Sequence, residues 1–221
     1  MSDDIEKFYQ DFFQDIRSSA DADGDFLEAS FVECFCDYLI DAGEFDTYDA
    51  GHYRAAKGMR IDGYAGDPVE EEGVLTLFIS DFSQDDKLAT LTKTDITAIF
   101  KRLENFYIKA RDPDFGYELE ETSAGFGMAE MISSRVGDIR RVRFYLLSNR
   151  KLSERVKGME EGEIESIPVS YHVWDLSRLH RMVQSGKGKE DMDIDLVDEY
   201  QQTIPCLPAH LSNSSYEAYL A

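Results

Sequence analysis

The stretch RIDGYAGDPVEEEGVLTLFISDFS, Arg60 to Ser83, decides how the chain is read. Its segment VLTLFIS is a nearly unbroken run of apolar and β-favouring residues, the pattern of a strand covered on both faces and central in a sheet. Met59 to Ala65 reads as the strand before it, with Gly66, Asp67 and Pro68 opening the connection. Two carboxylates punctuate the pair: Asp62 before Gly63, and Asp81 at the end of the apolar run. Either they share a metal ion, or they shape the turn and cap the strand end, since Asp-Gly is a common turn pair.

Working outward, Phe45 to Tyr53 supplies a third strand, so the spacing predicts a meander of three strands over 45–82. Helical spacing of Ile5, Phe8, Phe12 and Ile16 predicts a short first helix, broken at SSADADGDF. Leu27, Phe31, Cys34, Phe35 and Tyr38 form one stripe of a second helix, stopped by Gly43. After the meander, Thr92 and Asp95 have capping-box spacing before the long amphipathic helix of Ile96, Ile99, Phe100, Leu103 and Tyr107. Residues 111–126 read as a loop and 128–132 as a helix. Then follow a strand over 142–147, a helix over 152–156, a strand over 168–174, a helix over 176–183 and a strand over 192–196. Alternating strands and helices in this half imply crossover connections and an α/β sheet that extends the meander.

Helix, three-strand meander, helix, strand is an order that resembles the restriction-endonuclease-like core. That resemblance implies a divalent ion, Mg²⁺, held by an aspartate of the second strand and an acid ending the third, with help from a glutamate of the first core helix. Asp62, Asp81 and Glu33 take those positions in the sequence. Mg²⁺ suits hard oxygen ligands and keeps waters, one of which becomes the attacking hydroxide on a phosphodiester. The pattern then departs. The triplet at the strand end is Asp81-Phe82-Ser83, without the lysine that polarises the water and the phosphate; Lys93 and Lys101 are the nearest substitutes, Lys101 on the solvent side of its helix.

Longer runs carry a second resemblance: FYQDFFQDIRSSADADGDF, YLIDAGEFD, RIDGYAGD, LTLFISDF, TLTKTDITAIFKRLENF, VRFYLLSNRKLSERVK, IPVSYHVWDLSRLHRM and IPCLPA. In these the chain resembles the N-terminal region of the abortive infection phage resistance family. That resemblance implies a role in bacterial phage defence, a nuclease-like fold and a separate downstream domain. The expected organisation is an N-terminal helix at 1–25, a nuclease-like α/β domain at 26–200, and the start of a downstream region at 201–221. Two functions stay open: a metal-dependent nuclease, or an inactive nuclease-like module that binds nucleic acid or a protein.

Composition bounds the partners. With 221 residues and a net charge of −22, the chain has the wrong sign for a non-specific nucleic-acid binder, so any contact with DNA or RNA is local. Residues 1–50 hold fifteen acids against Lys7 and Arg17, whereas residues 140–157 hold seven basic residues against Glu154 alone. Arg140, Arg141, Arg143 and Lys151 are therefore the candidate nucleic-acid contacts; the same segment also reads as a solvated surface. No run of eighteen apolar residues occurs, and the N-terminus is acidic from its third residue, which predicts a cytosolic protein without a membrane span. Oligomerisation is left open. Cys34, Cys36 and Cys206 lack metal-site spacing and read as reduced thiols. His52, His172, His180 and His210 lie far apart and give no zinc signature, and GxSxG and phosphate-loop patterns are absent.

Overall fold

The computed structural model describes residues 2–187 except 56, 57, 86 and 158, together with 207–208 and 219–220. The chain divides into two units, Met1–Gly186 and Lys187–Ala221. In the second, Leu207–Pro208 and Tyr219–Leu220 pair as a short antiparallel ladder. The strand expected over 192–196 lies outside the described residues.

The first unit opens with α1 (Ser2–Asp23) and α2 (Leu27–Asp41). The meander follows as β1 (Tyr48–Ala55), β2 (Met59–Ala65) and β3 (Val74–Asp81). After β4 (Thr90–Leu91) come α3 (Lys93–Ala110), a 3-10 turn at Pro113–Glu118, and α4 (Ala124–Arg135). The last part contains β5 (Arg141–Ser148), β6 (Lys151–Leu152), β7 (Gly162–Ile164), β8 (Ile167–Trp174) and α5 (Leu176–Lys187).

Six strands form one mixed sheet in the order β1-β2-β3-β5-β8-β7. β1, β2 and β3 are antiparallel neighbours, while β3, β5 and β8 run parallel. Parallel neighbours cannot be joined by a tight turn, so α3 and α4 carry the chain from β3 back to the start of β5.

Strand alternation sends side chains to two cores. Leu75, Leu77 and Ile79 of β3 and Val142, Phe144 and Leu146 of β5 pack with Ile96, Phe100, Leu103 and Phe106 of α3. On the other face Phe78, Tyr145, Leu147 and Trp174 pack with Phe12 and Ile16 of α1, Phe31 and Phe35 of α2, and Leu179 of α5. Burial on both faces is why VLTLFIS reads as a continuous apolar run.

The capping box is formed: Asp95 N–H donates to Thr92 Oγ1 at 3.2 Å, and Thr92 N–H to Asp95 Oδ2 at 3.1 Å. Gly43 ends α2 at φ +73°, its N–H bonded to Ile40 O at 2.8 Å. Three expectations change. α1 continues past residue 17 to Asp23 and stops at Gly24, φ +70°, because the short polar residues after Arg17 sit on its exposed side without breaking the helix. Residues 111–126 are not a plain loop: Asp112 and Ser123 cap the 3-10 turn and α4, and Phe115 is buried against Phe106. The helix read over 152–156 is instead β6, paired parallel with β4, and a turn.

Candidate functional site

The meander places Asp62 at a bulge. Ala50 of β1 pairs with Gly63 and Tyr53 with Ile61, so Gly51 and His52 together stand opposite Asp62. An extra residue in one strand turns the local side chains out of strict alternation. Here it aims His52 at the carboxylate, with Nδ1 2.5 Å from Asp62 Oδ1, where it serves as the N–H donor. Gly63, at φ +153°, packs so closely that a Cβ would collide with the Asp49 carbonyl and the Phe78 ring.

Asp62 is 3% exposed, and five donors reach its two oxygens. Oδ1 accepts from His52 and from Arg60 Nε at 3.3 Å. Oδ2 accepts from Ser80 N–H at 2.6 Å, Ser80 Oγ at 3.0 Å and Arg60 Nη2 at 3.0 Å. Ser80 Oγ in turn accepts from Arg60 Nη2 at 2.7 Å. A carboxylate offers about four lone-pair directions, and this one is saturated. Burial pushes its pKa up, but the His52 hydrogen bond, the Arg60 charge and the Ser80 N–H outweigh burial and hold it below the ordinary 3.8.

A cavity of about 420 Å³ opens in front of this group, lined among others by Asp25, Phe26, Glu28, Glu33, His52 and Ser80. Glu33 shares the cavity with Asp62, and burial together with Asp25, Asp23 and Asp37 pushes its carboxyl above the ordinary 4.5. The cavity therefore has an acidic rim over a neutralised floor. That donor set does not fit Mg²⁺, which needs open oxygen ligands, whereas the buried carboxylate here is committed to a guanidinium, an imidazole and a serine. Among the described residues no group of three His, Cys, Asp or Glu side chains is placed to hold a metal ion.

Asp81 is not brought to Asp62. Successive residues of β3 face opposite sides, so Ser80 meets Asp62 while Asp81 points to the α3 face. There Asp81 Oδ2 accepts from Ser148 Oγ at 2.9 Å and Arg150 Nε at 2.7 Å, and Arg150 Nη1 reaches Asp95 at 3.4 Å. Lys93 is exposed at the start of α3, on Asp81's face of the sheet. Lys101 pairs with Glu104 at 3.1 Å. Two residues beyond Ser80, Phe82 stacks on Phe31 and Phe13 with ring centroids 4.9 and 5.7 Å away.

The basic segment is divided rather than gathered. Arg140 lies against Gly73, while Arg141 and Arg143 line a second cleft at the start of β5. Lys151 lies beyond the other end of that strand, in β6, and Arg150 between them is held by Asp81.

The residues that complete the Asp62 group, His52, Arg60 and Ser80, were not singled out from sequence. Arg60 carries a readable signal, since two residues apart on a strand means one face. Ser80 is legible once β3 is paired with β2, whereas the bulge that brings His52 leaves no mark in its composition.

Among the described residues no helix is long and apolar enough to cross a membrane. No curated protein and no solved structure matches the chain. The family model of the abortive infection phage resistance protein N-terminal domain matches residues 31–181, from the middle of α2 through the sheet to α5. With that match covering well over half of its 221 residues, the chain belongs to the abortive infection phage resistance N-terminal domain family.

Proposed function

We propose that this domain serves abortive infection phage resistance as a nuclease-like binding module, with Asp62 a structural anchor rather than a metal ligand. The order of helix, antiparallel meander, crossover helices and parallel strand supports a restriction-endonuclease-like ancestry, with Asp62 on the second strand of the meander. In that frame the third-strand residue facing Asp62 is Ser80, and the residue two further on is Phe82. A hydroxyl and a phenyl ring stand where an acid and a lysine would bind the ion and polarise its water.

The observation that carries the reading is the saturation of both Asp62 oxygens by Arg60, His52 and Ser80. An ion would have to displace the part-buried Arg60 guanidinium from its carboxylate, at a cost of several kcal/mol. The test is calorimetric titration of the 221-residue chain with Mn²⁺ and Mg²⁺, beside nicking of supercoiled plasmid. No binding that depends on Asp62 and no nicking is expected. Mn²⁺-dependent nicking that disappears in Asp62→Asn, with folding intact by circular dichroism, would restore the hydrolytic reading.

A further inference from the structure

A second cavity, also about 420 Å³, lies on the α1/α2 face of the sheet near the start of β5. Arg141, Arg143 and Tyr145 of β5 and Ser170 and His172 of β8 form its floor, and Arg178 of α5 its wall. The register puts Arg143 beside Ser170 and Tyr145 beside His172. In a chain carrying −22, three guanidiniums around one depression are a local inversion of charge.

Two carboxylates also line it and do not cancel it. Glu44 accepts the Tyr145 hydroxyl at 3.0 Å and stands 4.0 Å from Arg178 Nη2, while Glu161 is exposed at the rim. Arg141 and Arg143 have no ion pair among the described residues. Arg178 is stacked on Trp174, its guanidinium carbon 3.5 Å from the ring centroid, which fixes the fork that faces the cavity. Burial, then Arg178 and Arg143, push the His172 pKa down, consistent with a positive potential at the floor. Ser170 Oγ, 3.0 Å from His172 Nε2, adds a hydroxyl.

We infer that this cleft binds a phosphomonoester, either a free mononucleotide or the phosphorylated end of a nucleic-acid strand. Three guanidiniums, two from β5 and one from α5, with the Ser170 hydroxyl and the His172 imidazole lining the same cleft, supply the positive charge and the several donors that a phosphate dianion takes up. The volume admits a single nucleotide and not a duplex. The site is separate from Asp62, and its reading does not rest on whether Asp62 hydrolyses anything, because the measurement is of binding alone.

The experiment is calorimetry on the 221-residue chain with inorganic phosphate, adenosine 5′-monophosphate, and a short single strand with a 5′-phosphate or a 5′-hydroxyl, at low salt. Binding of the 5′-monophosphate or of the 5′-phosphorylated strand is expected, with the 5′-hydroxyl strand weaker by about tenfold or more, the factor for losing one charge-assisted contact. Mononucleotide binding as strong as that of the phosphorylated strand assigns the free nucleotide; preference for the strand assigns its end. Arg143→Gln and, independently, Arg141→Gln should each weaken binding with an unchanged melting temperature, whereas Lys151→Gln should not. No binding of any phosphomonoester by the wild-type chain, equal binding of the two strands without binding of the mononucleotide, or equal loss in Lys151→Gln and Arg143→Gln would overturn the inference.

Discussion

Asp62 shows how a single residue can take a different role from the one its strand position implies. Its carboxylate is the counter-ion of Arg60, whose side chain is only 13% exposed. Asp62→Ala should therefore lower stability by about 3–5 kcal/mol in chemical denaturation, the range for removing one member of a buried pair. Asp81→Ala, whose carboxyl is 23% exposed, should cost clearly less in the same assay. The pH dependence follows from the same contacts. Because the folded pKa of Asp62 lies below the ordinary 3.8, its stabilising contribution is present above that value and is lost as pH falls through the lower, folded one. Asp62→Asn should flatten the acid limb of a melting-temperature profile below about pH 4; an unchanged limb would show that other carboxylates dominate acid unfolding.

Within the elements, local chemistry is mostly obeyed; among the described residues the non-glycine positions at positive φ are Glu72, Glu165 and Ser166. Glu165 and Ser166 join β7 to β8 as a two-residue hairpin, and both have positive φ, 48° and 70°. That backbone favours Asn and Gly, and a serine there costs on the order of 1 kcal/mol. Ser166→Gly should raise the melting temperature, while keeping Glu165 and its 2.7 Å ion pair to Arg111. Thr92→Ala should lower stability by about 1 kcal/mol, because it removes the acceptor for the Asp95 N–H and half of the capping box. Hydrogen exchange at the first turn of α3 would report this loss directly.

For the molecule as a whole, the first helix belongs to the second core. Tyr9, Phe12, Ile16 and Ala20 are buried, and Phe12 meets Phe31, Phe35 and Tyr38 edge to face. The family match begins at residue 31, beyond α1. A chain that starts at Phe26 would nevertheless expose Phe31 and Phe35 and the face of Phe82. It should bind a hydrophobic dye and melt at lower temperature than the 221-residue protein. Phe12→Ala within the intact chain should cost about 3–5 kcal/mol, as for a large-to-small change in a packed core. A truncated chain as stable as the whole would mean that α1 is an appendage.

Elements governed by local rules were legible in the amino-acid order alone. Period-two and period-3.6 patterns, the Thr92/Asp95 box and Gly43 as a stop all depend on neighbours within a few residues. The doubly covered strand at 74–81 was legible for the same reason. The site depends on how the strands come together. Asp62 and Asp81 resemble a ligand pair in sequence, yet strand parity sends them to opposite faces and substitutes Ser80 as the partner. The bulge that supplies His52 depends on how β1 and β2 pair, and the division of Arg140, Arg141, Arg143 and Lys151 depends on the length of β5. Pairing register and which end of a strand meets which helix are non-local quantities, so they are settled only when the sheet is assembled.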